Sequence, residues 1–87
     1  MVVIARREDG FVLYERPSKI STEWRSFKLE KRVPGRRKWG TKRNWWIGWN
    51  GERLSRNRDV GIMAQYDPEL MAWVVETLRE LSLNGQN

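Results

Sequence analysis

Lys42-Arg43-Asn44-Trp45-Trp46-Ile47-Gly48-Trp49-Asn50-Gly51 is the stretch on which the fold turns. In an extended chain successive side chains leave opposite faces, so Trp45, Ile47 and Trp49 share one side. Trp46 points the other way, beside Gly48, which has no side chain to cover it. This alternation predicts a strand from Lys42 to Trp49 with one buried face. Asn50-Gly51 is the strongest short hairpin signal in the chain and predicts a return through Glu52-Arg53-Leu54-Ser55.

Towards the N-terminus, the segment from Glu23 to Val33 reads as extended in the same way. Arg25, Phe27, Leu29, Lys31 and Val33 fall on one face, with Phe27 and Leu29 marking the core side; Trp24, Ser26, Lys28, Glu30 and Arg32 fall on the other. Val2-Val3-Ile4-Ala5 and Phe11-Val12-Leu13-Tyr14 form a further pair of strands joined at Asp9-Gly10, a dipeptide suited to tight turns, and Pro17 and Ser18 end the second of them.

Beyond Asp59 the period changes. Leu70, Trp73, Val74, Leu78 and Leu81 recur at helical spacing, flanked by Met71 and Val75, so one stripe can lie on a sheet. Asp67 is a natural N-cap, Pro68 suits the first helical position, where an N–H is dispensable, and Asn84-Gly85 supplies a stop. A shorter helix is predicted over Asp59 to Tyr66, with Val60, Met63 and Ala64 on one side, although Gly61 weakens it. The expected fold is α+β: a small antiparallel sheet of four or five strands with one or two C-terminal helices packed on one face.

With 87 residues, residues 1–87 are expected to form a single domain with no separate catalytic module. The chain has no Cys and no His, which removes disulfides, thiolate chemistry, the usual general base and the commonest metal ligand. No apolar run approaches the roughly 20 residues that span a bilayer, and the opening residues lack the order of a signal peptide, so a cytoplasmic protein is expected, without membrane partners, cofactor or metal. Ser18-Lys19 is not a nucleophile–base pair, because neighbours on a strand face opposite ways. Metal-assisted hydrolysis would need acids such as Glu15, Glu30 and Glu52 to converge, and nothing in their spacing demands it.

Charge is the informative feature. Met1 to Arg58 holds 16 Lys and Arg against 6 Asp and Glu, a balance of +10, whereas Asp59 to Asn87 holds 1 against 5, a balance of −4. The densest run, Lys31 to Arg43, has seven cations, no acid, and Pro34, Gly35 and Gly40 to interrupt regular structure, so it reads as a long basic loop. Clustered cations raise local potential and neutralise phosphates, and exposed aromatic rings stack on bases. Lys31, Arg32, Arg36, Arg37, Lys38, Lys42 and Arg43, with Arg53, are the candidate phosphate or partner contacts. Trp39 and Trp46 are the candidate stacking residues, with Trp24 a further one; Trp45, Trp49 and Trp73 are assigned to the core.

The layout resembles, in architecture alone, the small sheet-plus-helix DNA-binding domains of mobile-element recombinases, and no residue motif accompanies the resemblance. The expected function is non-enzymatic binding of DNA, RNA or a nucleoprotein complex by a phage or mobile-element accessory protein. The alternative is an inhibitor or adaptor, in the manner of anti-CRISPR proteins, that meets an acidic protein surface and blocks a groove for nucleic acid.

Overall fold

The computed structural model describes residues 1–17, 23–33 and 41–84. Four strands, β1 (Val2–Arg6), β2 (Phe11–Arg16), β3 (Arg25–Val33) and β4 (Thr41–Trp49), form one sheet in chain order, with every neighbour antiparallel. Two helices follow, α1 (Arg58–Tyr66) and α2 (Pro68–Asn84). This is the expected small α+β fold.

Register places the sequence's alternation on two faces. On the covered face the rows across the sheet are Leu13–Leu29–Trp45 and Glu15–Phe27–Ile47, with Arg25 opposite Trp49. Phe27, Leu29, Leu13, Ile47 and Trp49 are buried there against Val60 and Met63 of α1 and Leu70, Val74 and Leu78 of α2. Trp49 is fully buried and its indole N–H donates to Ser82 Oγ at 2.7 Å, so the largest core group leaves no polar atom unmet. Trp45 and Trp73 are only half-buried and pack at the margin of this core. Ala64, expected on the inner side of α1, is exposed, because a helix of nine residues presents only Val60 and Met63 fully to the sheet.

Two glycines are fixed by geometry. Gly10 sits at φ +99°, and a Cβ there would lie 2.6 Å from the carbonyl oxygen of Arg32, where β3 passes the β1–β2 turn. A Cβ on Gly48 would lie 3.0 Å from Ser55 and 3.6 Å from the ring of Trp24, so the glycine lets both approach β4.

The Asn50-Gly51 turn forms, but the strand expected after it does not. Asn50 Oδ1 accepts from the backbone of Glu52 and Arg53, both at 2.9 Å, and Leu54 then makes one isolated bridge to Trp49. From there the chain is bound to β4 by side chains. Gly48 N–H donates to Ser55 Oγ at 3.0 Å, Trp46 N–H donates to Asp59 Oδ2 at 2.7 Å, and Asn57 Nδ2 donates to the Trp46 carbonyl at 3.0 Å. The requirement to start α1 with Asn57, whose Oδ1 caps Val60 N–H at 2.8 Å, turns the chain off the sheet edge before a fifth strand can extend.

Asp67 serves both helices. Its N–H donates to the Met63 carbonyl at the end of α1, and its Oδ1 accepts from Leu70 N–H at 3.0 Å at the start of α2. With Pro68 as the first helical residue, the expected N-cap is where the sequence places it.

Candidate nucleic-acid interface

The second face of the sheet is not covered by a helix, and most of its side chains are charged or aromatic. Register aligns Val3–Tyr14–Lys28–Trp46 in one row, Arg6–Val12–Glu30–Asn44 in the next, and Arg16–Ser26–Gly48 on the other side of the first. Trp46 is exposed, at 41%. Arg16 reaches diagonally past Ser26, whose row is small at its β4 end, and places its guanidinium carbon 5.5 Å from the Trp46 ring centroid. The Lys28 ammonium lies 4.9 Å from the Tyr14 ring, and Arg32 Nη2 lies 3.5 Å from the Tyr14 hydroxyl.

Glu30 organises this face. It is only 3% exposed although it points away from the core, because Lys28 (3.2 Å) and Arg32 (2.9 Å) close over it from either side. Val12, its cross-strand partner, is buried as well. The hydrogen bond from Arg32 to the Glu30 carboxylate, with the attraction of Tyr14 and Glu30, raises the guanidinium's pKa further above its ordinary value. Arg32 therefore carries its charge throughout the pH range in which a protein is folded. Among the described residues, Arg6, Arg16, Lys28 and Arg32 stand on this face against the single acid Glu30, four cations against one.

The sequence-derived candidates separate. Arg32 and Trp46 belong to the open face, and Arg53 is exposed in the turn after β4. Lys42 pairs with Arg32 in the β3–β4 ladder, but its side chain, like residues Arg36, Arg37, Lys38 and Trp39, lies outside the described residues. Lys31 and Arg43 face the other way. They are direct cross-strand partners in the row Phe11–Lys31–Arg43 of the covered face, so the seven cations from Lys31 to Arg43 do not make one surface. Nor does Arg25 add a free strand cation, since it holds Glu15 with two hydrogen bonds of 2.7 and 2.8 Å that raise its pKa. Trp24 is half-buried over Gly48.

Sequence reading missed Arg16 and Tyr14. The signal for both is parity: they share a side of β2 with Val12, opposite Leu13. Among the described residues, no acid of α1 or α2 forms an ion pair with a strand cation. Glu15 and Glu30 lie on opposite faces, and Glu52 is in the turn, so these three acids do not converge. No group of three or more Asp and Glu among the described residues is placed to hold a metal ion, and no described helix is long and apolar enough to cross a membrane. In comparisons with protein-family models, curated proteins and solved structures, nothing matches the chain.

Proposed function

We propose that the protein is a non-enzymatic nucleic-acid-binding protein that receives an unpaired strand of DNA or RNA on the open face of its sheet. The observation that carries this is the exposed Trp46 ring lying under Arg16 within a face of one dominant sign. A base stacked on an aromatic platform contributes about 1–3 kcal/mol, and every base has a π-face to offer. Arg16 stands over the platform, and Arg6 and Arg32 lie farther off on the same face, at positions suited to phosphates, whose neutralisation releases counterions and makes affinity fall steeply with salt. Asn44, exposed at the end of the Glu30 row, offers an amide that can hydrogen-bond a base edge.

The test is fluorescence anisotropy with labelled single-stranded DNA and RNA and with duplexes, repeated across a salt series. The expected result is preference for single strands, with affinity that Trp46→Ala lowers by about 1–3 kcal/mol and Arg16→Gln lowers with a flatter salt slope. Single-strand affinity unchanged in the Trp46→Ala variant would remove the stacking platform from the account. Absence of binding to any nucleic acid would favour the second reading, a protein partner with an acidic surface. The observation behind that reading is exposed Val2 and Val3 on the strand at the sheet edge, with exposed Met1 preceding them. The apolar part of such a contact is nearly insensitive to salt, whereas its ionic part is screened by it.

A further inference from the structure

The covered face holds a second feature that the nucleic-acid reading leaves unused. A cleft of about 520 Å³ opens between the row Phe11–Lys31–Arg43 of the covered face and the α1–α2 corner. Cavities of this size accept small organic molecules. Its floor is aromatic, with the rings of Phe11 and Trp45 at 6.0 Å and inclined by 43°. Its helical wall is apolar: buried Met63 and Leu70, with Ile62 beside them and the largely exposed ring of Tyr66 at the mouth.

Opposite that wall stand Lys31 and Arg43. Like charges directly across an antiparallel pair destabilise it, so their placement calls for a physical counterpart. Neither makes an ion pair with a carboxylate among the described residues. The Lys31 ammonium donates to the Asp9 carbonyl and lies 4.3 Å from the Phe11 ring centroid, and Arg43 is exposed at the cleft margin. One acid lines the cleft among the described residues, Asp67, on the helical side, where its Oδ1 accepts from the Leu70 N–H at the start of α2. The cleft thus combines two cations on one side, aromatic rings beneath and aliphatic groups on the other side.

From this arrangement we infer that the cleft binds a small planar aromatic molecule carrying an anionic group. The anion bridges Lys31 and Arg43 and relieves their repulsion, while the ring lies on Phe11 and Trp45 against Met63 and Leu70. The site is on the face opposite Trp46, so it does not depend on the nucleic-acid reading and survives its failure.

The test uses two fluorescent probes of nearly the same shape, 8-anilinonaphthalene-1-sulfonate and the uncharged N-phenyl-1-naphthylamine. The sulfonate is expected to bind the folded protein at one saturable site at least about tenfold more tightly than its neutral counterpart, the difference that one charge-assisted contact supplies. Lys31→Gln with Arg43→Gln should erase that difference and leave the neutral probe's affinity unchanged, with retained circular dichroism showing that the fold persists. Arg79→Gln on α2 removes a charge elsewhere and should leave both probes unaffected. Competition then distinguishes the source of the anion: displacement by 1-naphthoate points to an aromatic acid, and displacement by adenosine monophosphate to a mononucleotide. Equal affinity for the two probes, a sulfonate affinity indifferent to the double substitution, or displacement by neither competitor overturns the proposal.

Discussion

The two faces of this sheet are made by the same four strands, yet they are held together by different physics. The covered face is closed by apolar contact: Phe27, Leu29 and Trp49 are fully buried against the helices, and their contribution is area removed from water. The open face has no layer above it and is closed by long side chains instead. Lys28 and Arg32 turn their charged heads onto the Glu30 carboxylate from either side, at 3.2 and 2.9 Å. A small sheet can therefore bury residues on both faces with only one layer of helices, and the second cover remains available as a binding surface.

Substituting the same residue type on opposite faces breaks the comparison most directly. Trp49→Ala should cost about 3–5 kcal/mol, because it empties the centre of the core and strands Ser82 Oγ, and the effect is read as a fall in the midpoint of urea unfolding. Gly10→Ala tests the turn that both faces share. A residue with a Cβ at φ +99°, 2.6 Å from a backbone oxygen, is strained and must displace β3, so a loss of about 2–3 kcal/mol is expected in the same measurement.

Glu30→Gln sharpens the contrast within the open face. Removing the one acid beneath two cations should lower stability by about 1–2 kcal/mol while raising affinity for single-stranded nucleic acid and steepening its salt slope. A parallel loss of stability and affinity would mean that Glu30 orders the surface more than it restrains its charge. Asp67→Ala removes a cap from α2 and should cost about 1 kcal/mol, without effect on the open face. Trp46→Ala should cost about 1 kcal/mol, well below Trp49→Ala, because its side chain is 41% exposed where that of Trp49 is fully buried.

The elements that alternation and capping determine locally were legible in the sequence. Trp45, Ile47 and Trp49 share a face, Trp46 opposes them, and Asp67-Pro68 opens the long helix. The placement of Lys31 was legible as well, since parity puts it on the side of Phe27 and Leu29. Reading the run from Lys31 to Arg43 as one loop obscured this, because charge density does not report direction. The Arg16–Trp46 contact was not legible, since it spans three strands and depends on register set through two connections. The burial of Glu30 was hidden for a related reason: parity assigns it to solvent, and the pairing with Lys28 and Arg32 that accompanies its burial is set by the folded side chains. The missing fifth strand reflects competition, in which side-chain bonds from Ser55, Asn57 and Asp59 satisfy β4 before backbone pairing can continue.

Those last bonds bear on how the molecule behaves in a crowd of its own copies. The outward backbone groups of Trp46 and the N–H of Gly48 are already engaged, and the Gly48 carbonyl accepts from Ser55 N–H at 2.8 Å, so an incoming chain finds no template along this part of β4. At the opposite margin, β1 is five residues long and carries an irregularity between Val3 and Ala5 that puts its ladder out of step. Both margins of the sheet are thus poor seeds for fibrous growth, which allows the exposed Trp46 ring to stand beside one of them without becoming an adhesive.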